Sequence, residues 1–269
     1  MTRPGQIILL GSLAPALFFG GLVQCWAQPT TNRLLHWQDP AYIESSFYKI
    51  ALNNEYQAGG QPLRRWEKPI RYRVRYHGLP ANTMVNQLVS THFQHLAEIT
   101  GLNIGPAQNT ASNFEIVLTR DENYQQAIQR FTPAREPNLH VDSHCMANIQ
   151  VSAAGQIDQA QVVIPLDHAM SRGLLPACVV EEITQSMGLP NDADDVSPSI
   201  ANDASRLDLL TGLDYVFLKV LYHPQLQAGI DRVALQKKVP GILHEFERTG
   251  VIGRAARTVN RSGLYRLLY

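Results

Sequence analysis

Residues 181–191 read Glu-Glu-Ile-Thr-Gln-Ser-Met-Gly-Leu-Pro-Asn, and Asp192 follows. This run carries the chain's densest set of oxygen-bearing side chains capable of chemistry. On a helix, Glu181 and Gln185 stand one turn apart and share a face. Glu182 points about 100° away from Glu181, so the adjacent carboxylates are poorly placed to converge on one bond as a general acid/base pair. A carboxylate and an amide are hard donors that suit Ca²⁺ or Mg²⁺ better than zinc. Asp192, Asp194 and Asp195 resemble a cation loop only loosely and lack the spacing of a helix–loop–helix calcium site, so they read as a solvated acidic turn.

Several elements must position this run. Val179, Val180, Ile183 and Met187 share one face of a helix over 174–187, with Glu181, Glu182 and Gln185 on the polar side. Pro176 suits its first turn and Gly188 the left-handed residue that ends it. Upstream, a modest helix is expected over 42–53, with Gly59-Gly60-Gln61-Pro62 punctuating its end. Alternation in 71–76 predicts a half-exposed strand. Val85, Leu88, Val89, Phe93, Leu96 and Ala97 predict a helix over 82–100, stopped by Gly101. Strands are expected at 114–119, 147–151 and 160–165, the last two around a turn at Gly155, and a short helix at 121–131. Downstream, helices are expected over 211–222 and 230–248, the second bent or interrupted at Pro240. Strands and helices in this order indicate a mixed α/β fold. After Glu247, Arg248, Arg254, Arg257, Arg261 and Arg266 form a basic tail that either docks on an acidic partner or packs as a C-terminal segment.

The run 181–191 has the frame of the metzincin zinc-protease motif, H-E-x-x-H-x-x-G-x-x-H. By that resemblance Glu181, Gln185 and Asn191 stand at the three zinc-histidine positions, Glu182 at the general base and Gly188 at the turn glycine. Ser199-Ile200-Ala201-Asn202-Asp203 is similar to the methionine-turn segment, with Ala201 in place of the methionine. Leu210-Thr211-Gly212-Leu213-Asp214 through Leu221-Tyr222 is similar to the closing helix. The resemblance implies a zincin-like domain over 63–224 with a mixed sheet, a central motif-bearing helix and a helical C-terminal subdomain. Residues 28–62 would precede it and 225–269 follow. Cys178 to Asp192, Pro198-Ser199-Ile200, Asn202-Asp203 and Leu221-Tyr222 also resemble a bacterial family of unknown function, the one numbered 2927. In that light the substituted ligand positions are the family's form of the motif, and membership supplies no established activity.

The N-terminus reads as an export signal: Arg3, an apolar stretch from Ile7 to Val23, and cleavage after Ala27. Removing 1–27 takes away Arg3 and no acid, so 23 basic residues become 22 against 23 acidic ones. Such a balance gives no electrostatic case for nucleic acid, and no second long apolar run suggests an integral membrane span. A periplasmic or secreted location leaves Cys145 and Cys178 as a disulfide, Cys25 departing with the signal. Of the nine histidines, His140 and His144 lie four apart, His92 and His95 three apart on one helix, and His168 after a strand. Pro137 favours a loop at 140–145, where a spacing of four has no helical meaning, so these read as chance pairs.

Three readings follow. The first is a binding module for a peptide or protein, without zinc-protease activity, in which Glu181 and Gln185 join a hydrogen-bond network on the cleft floor. The second is an active hydrolase with Glu182 as general base. The third is a metalloprotease recruiting histidines from outside the motif. No cofactor is expected under the first, with zinc or another divalent cation as the alternative.

Overall fold

In a computed structural model, residues 37–53, 60–131, 141 and 143–269 can be described. The expected signal segment 1–27, Gly59 and His140 lie outside them. The described residues belong to one compact unit. Its elements are α1 (Pro40–Leu52), β1 (Ile70–Tyr76), α2 (Thr83–Thr100), β2 (Ile104–Pro106), β3 (Phe114–Thr119), a 3₁₀ turn (Asp121–Asn123) and α3 (Tyr124–Phe131). They continue with β4 (Met146–Val151), β5 (Ile157–Pro165), α4 (Leu166–Ser171), α5 (Leu175–Gln185), α6 (Gly212–Leu221), α7 (Arg232–Arg248), α8 (Val251–Val259) and α9 (Tyr265–Leu268).

The five strands form one mixed sheet in the order β2-β1-β3-β5-β4. β1 runs parallel to β2 and β3, and β3 parallel to β5. Only β4 is antiparallel, joined to β5 through a turn in which Gly155 has a φ of 78°. Period-two alternation assigns the two faces. Phe114, Ile116 and Leu118 of β3, with Ala160, Val162 and Ile164 of β5, enter the large core. Val117 and Val163 point the other way and pack with Tyr124, Ala127 and Ile128 of α3. This α+β architecture, with a mixed sheet followed by helices, is the fold class the sequence implies.

Local signals set most boundaries. Asn82 accepts from the backbone N–H groups of Met84 and Val85 and caps α2, and Gly101 closes it in the left-handed region. α7 runs through Pro240 without interruption. Pro240 is exposed, so its missing N–H lies toward water, while Val239, Ile242, Leu243 and Phe246 anchor the buried face. The C-terminal segment is packed: Ile252, Ala255, Val259 and Leu264 are buried and the five arginines lie on the exposed side. The α1 stretch is also core, with Ile43, Phe47, Ile50, Ala51 and Leu52 fully buried.

The motif helix α5 is held from several sides. Cys178 on it forms a disulfide with Cys145, just ahead of β4. The bridge encloses 178 − 145 − 1 = 32 residues, worth about 3–4 kcal/mol in the chain-entropy model, and it fits an oxidising compartment. From α2, buried His92 meets Thr184 Oγ1 at 3.0 Å and hydrogen-bonds the Val180 backbone. Trp66 donates its indole N–H to the Ser186 carbonyl at 2.9 Å, and Tyr222 donates to the Met187 carbonyl at 2.7 Å.

His92 and His95 are neutral in the fold. Burial, then the charge of His95, lowers His92 to about 3 against its Val180 hydrogen bond, and burial lowers His95 to about 4. Folded values below the unfolded ~6.5 mean that the unfolded chain takes up these protons first. Their contribution to stability is therefore complete above ~6.5 and is lost as pH falls toward the folded values. Denaturant unfolding followed from pH 7 to 4 is expected to show falling stability, by up to about 1.4 kcal/mol per pH unit for each histidine. His92→Gln, which keeps a donor for Thr184, is expected to flatten that slope, and an unchanged slope would contradict the assignment.

Candidate functional site

The floor of the site is the exposed remainder of α5. Glu181 and Gln185 are its half-buried polar residues after the first turn, because Val179, Val180, Glu182, Ile183 and Thr184 are all buried. Glu182 thus departs from expectation: it is 6 % exposed and does not share the open side with Glu181. A second layer covers it there. Burial first, opposed by the Ser143 hydrogen bond and helped by the nearby charges of Glu182 and Asp121, pushes the Tyr124 phenol up. The 100° rotation between neighbouring helical residues is what separates the two acids.

Gly188 turns the chain off the helix with a φ of 114°. A Cβ there would stand 2.1 Å from the Arg64 carbonyl oxygen, so only glycine fits both the backbone angle and the close approach. The chain then returns Asp192 to the helix. Gln185 Nε2 donates to Asp192 Oδ1 at 2.7 Å. Asn191 donates its amide to the Asp192 backbone carbonyl at 2.7 Å. Of the two candidate loop positions, Asn191 and Asp192, it is Asp192 whose side chain comes back to meet α5.

A third acid joins from the next turn of the loop. One carboxylate oxygen each from Glu181, Asp192 and Asp203 lie within 4.8 Å of one another. Asp203 was not among the expected site residues, although Asn202-Asp203 was the pair that marked the family resemblance. Spacing alone gives no sign of it, since Asp203 is exposed and its approach depends on the path of the whole loop. The neighbouring acids behave differently. Asp194 and Asp195 are exposed as the acidic-turn reading expects, and Asp195 forms an ion pair with Lys49.

That loop path is set by buried hydrogen bonds. Ala193 donates its backbone N–H to the Ala201 carbonyl at 2.9 Å. Asn202 donates to the Asp194 and Val196 carbonyls, both at 2.9 Å. Beneath them Asp214, 2 % exposed, accepts from Ser199 Oγ at 2.6 Å, from Ile200 N at 3.3 Å and from Thr211 N at 2.8 Å. Thr211 Oγ1 accepts in turn from Asp214 N, closing a capping box at the start of α6. Burial raises the Asp214 carboxyl above its ordinary value against the pull of these donors.

Zinc does not fit positions 181, 185 and 191. Gln185 is engaged as a donor to a carboxylate, Asn191 as a donor to a backbone carbonyl, and neither offers an imidazole nitrogen. What the arrangement offers is a set of oxygen acceptors on a rigid floor. The histidines are elsewhere: His92 and His95 are buried in α2, and His144 meets His168 at 2.9 Å. His140 lies outside the described residues, and His144 meets a residue beyond β5.

A mixed α/β domain with a candidate helix–loop site is thus defined. The family described as Protein of unknown function (DUF2927) matches residues 40–241, and the chain belongs to that family. No curated protein matches the chain.

Asp214→Ala leaves the Ser199 hydroxyl and the Ile200 and Thr211 N–H groups without their acceptor in a buried site. The substitution is expected to cost about 3 kcal/mol or more in urea unfolding and to open 191–205 to limited proteolysis. A loss under about 1 kcal/mol would contradict the role assigned to this carboxylate.

Proposed function

We propose that the protein is an exported, zincin-like binding module that takes an extended peptide or protein segment and does not cleave it. The observation that carries this reading is the Gln185–Asp192 hydrogen bond, which ties the amide at a zinc-histidine position of the resemblance to a loop carboxylate. Glu182, placed at the general-base position by the resemblance, is buried beside Tyr124, which weighs against the hydrolase reading. The disulfide supports export, and no helix among the described residues is long and apolar enough to cross a membrane.

The sheet supports peptide capture. Among the described strands β4 pairs only with β5, leaving its other edge for strand addition. The Cys145–Cys178 bridge fastens the start of β4 to α5 one turn ahead of Glu181. A segment laid along β4 would run past that strand start, where the disulfide joins α5. In a peptide-library selection with the purified chain, bound peptides are expected to be recovered intact and equally well with a chelator present. N-methylation of alternate backbone nitrogens is expected to weaken a selected peptide by about tenfold or more, the loss of about 1.4 kcal/mol of main-chain bonding. Cleavage of the peptide that disappears in Glu182→Gln would establish the hydrolase instead.

The clustered carboxylates favour a second reading, in which a hard cation such as Ca²⁺ or Mg²⁺ sits on Glu181, Asp192 and Asp203. Thermal unfolding with millimolar Ca²⁺ decides it. A rise in Tm that is lost in Asp203→Asn supports the cation, and an unchanged Tm in the parent chain rejects it.

A further inference from the structure

We propose a second, separate site: a two-imidazole centre for a divalent transition metal formed by His144 and His168. It lies at the end of the sheet where β3 and β5 finish and β4 begins. His144 Nδ1 and His168 Nε2 face one another at 2.9 Å, with ring centroids 5.1 Å apart. Two imidazole nitrogens sharing one Zn²⁺ at about 2.0–2.1 Å stand about 3.3 Å apart at tetrahedral angles. A few tenths of an ångström of opening, with each ring turning so that both lone pairs converge to one side of the N–N line, converts the pair from contact to shared ligation, and His144, on the exposed side, has room to move.

The outer surroundings fit a ligand. The other nitrogen of His168, Nδ1, faces Asp121 Oδ1 at 3.6 Å. A carboxylate beside an imidazole favours the proton on the nitrogen that faces it, here Nδ1, which leaves the Nε2 lone pair toward His144. Asp121 is held in turn by its backbone N–H, which donates to Asp167 Oδ1 at 2.8 Å. Arg172 lies near enough to His144 to act on it electrostatically. His144 would place its proton on the outer Nε2 when Nδ1 ligates, so binding requires no net proton release. Arg172 opposes a cation here and Asp121 with Asp167 offsets it. Two imidazoles with the remaining positions open to water select Cu²⁺, Zn²⁺ or Ni²⁺ over Ca²⁺ and Mg²⁺.

The site adjoins Cys145 and the disulfide that holds α5, so an ion there would brace the same strand start without touching the carboxylate floor. It is independent of the peptide-binding reading. The test is calorimetric titration of the full untagged chain with Zn²⁺ or Cu²⁺ alone in a non-coordinating buffer, with circular dichroism to verify each variant's fold. One saturable site per chain is expected. His144→Gln and His168→Gln are each expected to weaken it by about tenfold or more, and Asp121→Asn to weaken it while both imidazoles remain. His244→Gln, at an exposed solitary histidine, and Asp203→Asn are expected to leave it unchanged. The absence of saturable binding would overturn the proposal, as would an unchanged affinity in folded His144→Gln or a loss that follows Asp203→Asn instead. Should His168→Gln fail to fold, the exposed His144 variant decides alone.

Discussion

The buried carboxylate of Asp214 is the constraint on which the site depends. One side chain accepts from the Ser199–Ile200 turn and from the first residue of the capping box of α6, so loop and helix are set by the same two oxygens. With that turn fixed, Asn202 and Ala201 hold the preceding strand of loop, and Asp192 is carried back to α5. The grouping of Glu181, Asp192 and Asp203 is a consequence of this anchoring, since no local rule brings residues 181, 192 and 203 together. Burying such a carboxylate is costly unless its hydrogen-bonding capacity is filled, and here the filling groups are the turn itself.

Much of the fold was legible because its signals are local. Alternation in β1, and the helical spacing of α2 with its Gly101 stop, depend on neighbours in the chain. β2 was missed because three residues carry no periodicity, and α4 because Leu166–Ser171 is barely a turn and a half. The continuity of α7 through Pro240 depended on which side of the helix the proline faced, a tertiary property. The cysteine pair was readable from its count and its setting alone.

The site was legible in part. The shared face of Glu181 and Gln185 follows from helical geometry, whereas the helix ends at Gln185 with Ser186 as its cap and Gly188 turns the chain two residues later. The fate of Glu182 did not follow, because a polar residue beside an apolar stripe reads as solvent-facing until a second layer is known to cover it. Asp203 and the His144–His168 contact were hidden for one reason: both depend on where loops end in space. Sequence spacing directed attention to His140 and His144, whereas the sheet brings His144 to His168 across β4 and β5.

The proposed binding reading rests on oxygen donors grouped on α5 and its following loop, with Gln185 tied to Asp192 by an amide-to-carboxylate bond. The most direct measurement is an anomalous-scattering crystal structure of the full chain grown with equimolar Zn²⁺. The account predicts that Gln185 still donates to Asp192 and that no zinc peak is coordinated jointly by Glu181, Gln185 and Asn191. A peak held by those three side chains would contradict it.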